Sequence, residues 1–117
     1  MKRCVNLMRL ITHLKKATRR DPRNFAANYR LGLCQIRNNM REEGINSLKM
    51  CLSINPNDID TMLKLSEVYQ RDDKKIKEAE QMITKVLKQD PELAEAYIQL
   101  GRINEKQNKN AAALEAF

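Results

Sequence analysis

The sequence predicts an all-α protein built from antiparallel pairs of helices, and three observations support this fold class. The 117 residues include only three glycines and three prolines, and 42% of them are hydrophobic, which is too apolar for a disordered chain. Alternating β-branched runs, which are typical of strands, are nearly absent. The prolines Pro22, Pro56 and Pro91 follow one another at intervals of 34 and 35 residues, which indicates an internal repeat.

Each proline marks the end of one helix and the approach to the next. A short polar residue, Asp or Asn, stands directly before every proline, and a residue in that position avoids the α conformation. Asn57, Asp58 and Glu92 then place oxygen acceptors or negative charge near the first turn of the following helix, where backbone N–H groups are free. We therefore expect a new helix shortly after each proline.

Alignment on the prolines divides the chain into four segments. They cover residues 3–20, 23–56, 57–91 and 92–117. The first segment corresponds to the second helix of a pair, and the last is expected to turn near Asn110 into a second helix that is cut short. We therefore expect the chain to be a fragment of a longer array, whose terminal helices fray or associate with a second copy.

Small residues recur at the same place in both helices of each pair. They are Gly32, Ser66 and Gly101 in the first helix and Gly44, Ala79 and Ala113 in the second. Large side chains at these positions would hold the two helices apart, so the sequence predicts close helix packing there. Asp72 to Lys75 make one turn a residue longer, which accounts for the 35-residue interval.

This pattern resembles the tetratricopeptide repeat, a 34-residue helix-turn-helix unit with Leu-Gly in helix A, Ala in helix B and Pro at its end. The resemblance covers nearly the whole chain, although the aromatic residue usual near the start of helix A is present only as Tyr97. It implies a right-handed superhelical α-solenoid whose A helices line a concave groove. It also implies a non-catalytic scaffold or adaptor that binds a partner within a multi-protein assembly.

Residue by residue, the resemblance places ten side chains in that groove. They are Tyr29, Arg30, Leu33, Arg37, Lys64, Glu67, Arg71, Gln99, Arg102 and Lys106. Most of the charged ones are basic, so we expect a partner peptide or helix of acidic or mixed composition. The alternative is that they are the solvated ends of ordinary amphipathic helices.

The resemblance also allows one specific partner class to be tested. Family members that bind the C-terminal tails of Hsp70 or Hsp90 use Lys and Asn on the first helix A, Asn on the second, and Lys and Arg on the third. Those positions hold Tyr29, Leu33, Lys64, Glu95 and Gln99 in this chain. None of them matches, and a carboxylate at Glu95 would repel the tail's own carboxylate. Binding of these chaperone tails is therefore not expected.

The net charge of +7 lies entirely in the first 23 residues, because the remaining residues contain equal numbers of acids and bases. A second basic surface is accordingly predicted on the first helix. It consists of Arg9, Lys15, Lys16, Arg19 and Arg20. Three interpretations stay open: a solvated outer face, a docking surface for an acidic protein, or a phosphate-binding surface for RNA or an anionic membrane. Nucleic acid is not expected as a partner, since no aromatic residue interleaves the basic ones for base stacking. An anionic membrane is not expected either. A purely structural spacer is a further alternative.

Catalytic and metal-binding arrangements are not visible in the sequence. His13 is the only histidine and has no neighbouring group that would make it a base, so we expect an exposed residue and no enzyme. Cys34 and Cys51 fall on apolar stripes and are expected in the core, so no metal or cofactor is predicted. The absence of a secretory signal, of a membrane-length apolar run and of paired cysteines favours an intracellular, cytoplasmic protein.

Overall fold

The computed structural model describes the backbone of residues 2–115 and the side chains of residues 6–109. The described chain is helical, which confirms the all-α prediction. Its helices are α1 (Lys2–Arg20), α2 (Phe25–Arg37), α3 (Arg41–Ile54), α4 (Ile59–Tyr69), α5 (Ile76–Gln89) and α6 (Ala94–Glu115). A short 3-10 turn, Asp73–Lys75, precedes α5. Contacts divide the chain into two compact units, Met1–Thr61 and Met62–Phe117.

None of the helices in the described residues combines the length and the apolar character that crossing a bilayer requires.

In the first unit, α1 packs against α2 through a small apolar core. Ile11 of α1 is buried with Leu31 and Cys34 of α2, and Leu7 and Leu14 pack against this cluster. Leu10 and Ala17, which helical periodicity groups with these apolar residues, are instead exposed. At 100° per residue they lie on the flank of the helix, beside the part that α2 covers.

The pair α2 and α3 is the most closely packed in the first unit, and its glycines explain why. A Cβ atom added at Gly32 would lie 3.0 Å from Leu48 Cγ and 3.2 Å from the carbonyl oxygen of Gly44. A Cβ atom added at Gly44 would lie 2.5 Å from Ile36 Cγ1. The small residues therefore let the two helices approach, as the sequence predicts. Phe25 contacts Cys51, Gly32 faces Leu48, and Gln35 accepts a 2.7 Å hydrogen bond from Ser47. Residue numbers rise along α2 while they fall along α3, so the two helices run antiparallel.

Asn39 forms the turn between α2 and α3. Its φ of 61° lies in the left-handed region, which asparagine tolerates better than most residues. The backbone N–H groups of Asn38 and Met40 donate to the carbonyl oxygens of Cys34 and Gln35 at the end of α2. The turn thus satisfies carbonyl groups that the helix leaves without a partner.

In the second unit the side chains on one face of α4, α5 and α6 are buried. Leu65, Ile83 and Ile103 have no solvent exposure, and the small residues Ser66 and Ala79 are equally buried. The longer turn falls where the sequence predicts it, because the carboxylate of Asp72 accepts a hydrogen bond from the Lys74 N–H and begins the 3-10 turn.

Helix α6 differs from the prediction at its second half. The turn expected near Asn110 is not formed, and one helix continues from Ala94 to Glu115. Residues 107–115 contain no glycine or proline, and the alanines among them favour helix, so nothing in this stretch interrupts the backbone hydrogen bonds. No described heavy atom lies within 4 Å of a Cβ built at Gly101, which therefore faces open space. Ala113, the small residue expected opposite Gly101, lies outside the described side chains.

The starts of the A helices are tied to the preceding turns by side-chain hydrogen bonds. Asn24 caps α2 by accepting from the Ala27 N–H at 3.0 Å. The amide Nδ2 of Asn28 donates to the carbonyl oxygen of Pro22 at 3.0 Å, and the hydroxyl of Tyr97 donates to that of Pro91 at 2.7 Å. Both bonds span six residues, so the two helices begin in equivalent ways.

Candidate functional site

The ten residues predicted for the groove are divided between the two units and are described here unit by unit. The α2 surface consists of Tyr29, Arg30, Leu33 and Arg37. Their spacing places them on one face of α2, opposite its buried face. Arg30 and Arg37 are exposed, and Tyr29 and Leu33 are half-buried. The surface therefore joins an apolar centre to two guanidinium groups.

The aromatic part of the α2 surface is held in place by its own helix. The rings of Phe25 and Tyr29 stack with centroids 6.0 Å apart and planes inclined by 10°. Such offset aromatic pairs stabilise one orientation of each ring. Tyr29 is thus positioned before any partner arrives, which lowers the entropy cost of binding.

The two arginines of the α2 surface lie near the buried thiol of Cys34 and act on its pKa. Burial raises the pKa of Cys34, while the nearby cations of Arg37 and Arg30 act in the opposite direction and lower it. No described carboxylate forms an ion pair with either arginine. Both guanidinium groups therefore keep their donors available for an acidic ligand.

In the second unit the predicted residues do not form a uniform basic surface. Lys64 lies 3.6 Å from the carboxylate of Glu67 in an ion pair along α4. Arg71 is exposed but not helical, because α4 ends at Tyr69 and the Arg71 N–H donates to the Val68 carbonyl in a turn. Arg102 is exposed on α6. Arg102 and Arg71 are thus the groove arginines of this unit that stay open to solvent.

Gln99 is wrongly predicted as a ligand-binding residue, because its side chain is completely buried. Its Oε1 accepts from Gln70 Nε2 at 3.0 Å, and its Nε2 donates to the carbonyl oxygen of Leu63 at 3.4 Å. Gln70 Nε2 also donates to Ser66 Oγ at 3.1 Å. These bonds join α4 to α6 through a buried polar network, so Gln99 positions helices instead of meeting a partner.

The sequence contains a signal for this burial. Gln99 lies three residues after Ala96 and four residues before Ile103, both of which have no exposure. It therefore stands on the apolar stripe of α6. A polar residue on such a stripe needs a buried partner, which Gln70 provides. Lys106 belongs to the same structural group, since its Nζ donates to the carbonyl oxygen of Gln70.

The second basic surface, on α1, is exposed over most of its length. Arg9, Lys16, Arg19 and Arg20 are exposed. Lys15 instead lies 3.7 Å from the carboxylate of Glu43 on α3. That ion pair offsets part of the positive charge, and it lies at the surface, where such pairs contribute about 1 kcal/mol or less.

The reactive side chains among the described residues include a histidine on α1 and buried cysteines on α2 and α3. His13 is exposed on α1. Burial, and then the carboxylate of Asp58, raise the pKa of Cys51 to about 11, so its thiol is protonated near neutral pH. Among the residues described, no cluster of three or more metal-ligating side chains is found. An open depression of about 300 Å³ on the surface of α5 includes Lys85 and Lys88, but none of the predicted site residues lines it.

Comparison with protein families gives two matches. One tetratricopeptide repeat model matches residues 26–58 and a second matches residues 68–117. No curated protein matches the chain. Tetratricopeptide repeats generally mediate protein–protein interactions, and proteins built from them are generally non-catalytic scaffolds. The paired helices, the close contact at Gly32 and Gly44 and these two matches together show that the chain belongs to the tetratricopeptide repeat family.

Proposed function

We propose that this protein is a non-catalytic adaptor that binds a peptide or helix of acidic or mixed composition. The α2 surface is the principal binding surface in this proposal, and Arg102 of α6 with the exposed Ile98 beside it is the corresponding feature of the second unit. The observation that carries the proposal is the combination on α2 of a positioned aromatic ring with two arginines that no described carboxylate neutralises.

The chemistry of the α2 surface matches a partner with alternating acidic and apolar side chains. Arginine binds carboxylates through two parallel hydrogen bonds, which gives both strength and orientation. Tyr29 and Leu33 offer apolar area between the two arginines. Aromatic residues and arginine are also the side chains that contribute most to protein interfaces. An amphipathic acidic helix would place its carboxylates on Arg30 and Arg37 and its apolar side chains on the centre.

A direct test uses two synthetic peptides that differ only in charge. One is a fluorescent amphipathic helix of Glu and Leu, and the other replaces each Glu with Lys. Fluorescence anisotropy should show binding of the acidic peptide and not of the basic one. The variants Arg30→Ala and Arg37→Ala should each weaken binding by about 3- to 10-fold, because exposed charge-assisted contacts contribute about 1 kcal/mol. The matched control Lys49→Ala, which removes an exposed cation from α3, should bind as the wild type does.

Equal affinity for the two peptides, or unchanged affinity in both arginine variants, would contradict the proposal. Adding RNA or vesicles that contain phosphatidylserine to the same assay tests the basic surface of α1. If that surface binds phosphate, Arg19→Ala and Arg20→Ala should reduce binding to these probes, and the affinity should fall steeply with salt. We expect neither probe to bind, since the pairing of Lys15 with Glu43 lowers the positive charge of this surface. RNA also finds no aromatic side chain among the arginines on which its bases could stack.

A further inference from the structure

The solvent side of α2 repeats the same chemistry every seven residues. Beyond Phe25, the residues of α2 that are exposed or half-buried form three pairs separated by seven positions. The pairs are Ala26 with Leu33, Tyr29 with Ile36, and Arg30 with Arg37. Helix geometry alone brings residues seven apart to within about 20° of one another around the axis. On α2 the members of each pair also agree in kind, since two pairs are apolar and the third is arginine.

The two apolar pairs form a continuous strip along the helix. Their members follow one another at intervals of three, four and three residues, as Ala26, Tyr29, Leu33 and Ile36. This is the spacing of the apolar positions in a coiled coil, and we call these four residues the α2 seam. Tyr29 is positioned by its stacking on Phe25, and the side chain of Ile36 lies beside Gly44 of α3. The seam is therefore an ordered and only partly covered strip about 15 Å long.

The arginine pair lies along one edge of the α2 seam. Arg30 and Arg37 each directly follow a seam residue, and both side chains are exposed. In a two-stranded coiled coil, charged residues beside the apolar positions pair with charges on the partner helix and select that partner. A partner on the α2 seam would accordingly need acidic side chains beside its own apolar positions.

The distance between the arginines favours a helical partner over an extended one. Arg30 and Arg37 are separated by seven residues of helix, which corresponds to about 10.5 Å along the axis. A partner helix with acids seven residues apart presents them at the same interval. An extended strand presents the side chains of one face at intervals of about 7 Å, so its carboxylates would lie about 7 or 13 Å apart and match the arginines less well.

We propose that the α2 seam binds a single amphipathic helix of a partner protein, packed along α2 as in a two-stranded coiled coil. The partner helix carries acidic residues at seven-residue intervals beside its apolar stripe. This contact rests on the proposed peptide binding at the α2 surface, and it further requires a helical ligand with acids in fixed positions. Because α2 has 13 residues, the contact covers about two heptads, and a helix formed before binding should bind more tightly than one that has to fold.

Three synthetic peptides test this arrangement with the whole chain. Two have the same composition and the same leucine stripe, and a hydrocarbon staple on the outer face holds them helical. The flank peptide has Glu beside the stripe and Gln on the outer face, and the outer peptide has these residues exchanged. The proline peptide has the sequence of the flank peptide with prolines at outer positions and no staple, so it cannot form a helix. Fluorescence anisotropy should show the flank peptide binding at least about tenfold more tightly than either of the others.

Variants of the protein test the seam and its flank separately. Ala26→Lys places a charge on an exposed position of the seam and should weaken binding of the flank peptide about tenfold. Asn46→Lys adds the same charge at an exposed position of α3 and should leave binding unchanged. Circular dichroism should show the same helix content in both. The double variant Arg30→Glu with Arg37→Glu should lose the flank peptide and bind a peptide that has Lys in place of its Glu.

The outcomes separate this contact from the peptide binding on which it rests. Equal binding of the flank and outer peptides, or of the flank and proline peptides, would overturn the helical arrangement and leave the binding of acidic peptides in place. Binding of none of the acidic peptides would overturn both. A charge-reversed double variant that still prefers the flank peptide would overturn the role of the arginines in selecting the partner, and with it the proposal.

Discussion

The closest predicted helix contact can be tested by adding one methyl group at Gly44. The Cβ of a Gly44→Ala variant would lie 2.5 Å from Ile36 Cγ1, 3.0 Å from the Gly32 carbonyl oxygen and 3.2 Å from the Ile36 backbone nitrogen. Carbon atoms pack favourably at about 3.5–4.0 Å, so α3 would have to move away from α2 by about 1 Å. Two of the three neighbours are backbone atoms, which cannot rotate aside.

The expected change in stability is the difference of two effects. Forcing a methyl group into a packed contact costs about 1–3 kcal/mol, and backbone neighbours place this site in the upper part of that range. Replacing glycine with alanine inside a helix returns about 1 kcal/mol. We therefore expect Gly44→Ala to lower the free energy of unfolding by about 1–2 kcal/mol.

Gly101→Ala is the matched control, because it makes the same chemical change in a helix where no described atom is close to the new methyl group. It should gain the helix propensity alone and raise the free energy of unfolding by about 1 kcal/mol. Urea unfolding followed by circular dichroism, at a concentration where the chain is dilute, measures both changes. If Gly44→Ala is as stable as the wild type, or if both variants shift equally, the packing argument is wrong.

Two further predictions concern the buried polar groups. Gln99→Leu should lower the free energy of unfolding, measured in urea, by about 1–3 kcal/mol, because Gln70 loses a buried hydrogen-bond acceptor. The double variant Gln99→Leu with Gln70→Leu should be less destabilised than the sum of the two single changes. The control Gln81→Leu, at an exposed position, should change the stability little. An additive double variant would contradict the role of the network. The thiols of Cys34 and Cys51 should react with iodoacetamide at pH 8 at least about tenfold more slowly in the folded chain than in urea, because burial raises the pKa of each thiol. For Cys51, whose pKa is about 11, only about 0.1% of the thiol is ionised at pH 8. Equal rates in the two states, measured by mass spectrometry of the separate peptides, would show that these thiols are not buried as described.

The sequence predicts well the helix pairs and turns that leave a regular spacing of prolines and small residues along the chain. The proline interval and the small residues at Gly32 and Gly44 identify the helix pairs, because close packing leaves little choice of residue at a contact. The turn before α5 is predicted for a related reason, since Asp72 can accept from a backbone N–H of its own turn.

The features that the sequence predicts poorly depend on tertiary contacts. Gln99 has the polarity of a surface residue, and only its place between Ala96 and Ile103 indicates burial. Arg71 follows the helical pattern of α4, yet that helix ends at Tyr69. The continuation of α6 past Asn110 reflects the absence of any residue that stops a helix there. In each case the outcome depends on neighbouring elements or on helix termination, which a repeat alignment does not record.

The hydrogen bonds from Asn28 to Pro22 and from Tyr97 to Pro91 bear on how such repeats diverge. An amide and a phenol perform one task at one position, although they share neither size nor aromatic character. What evolution has to preserve there is a donor that reaches the proline carbonyl, and several side chains meet that requirement. A repeat can therefore lose its aromatic signature and keep its geometry, so that ancestry fades from the sequence sooner than from the hydrogen bonds.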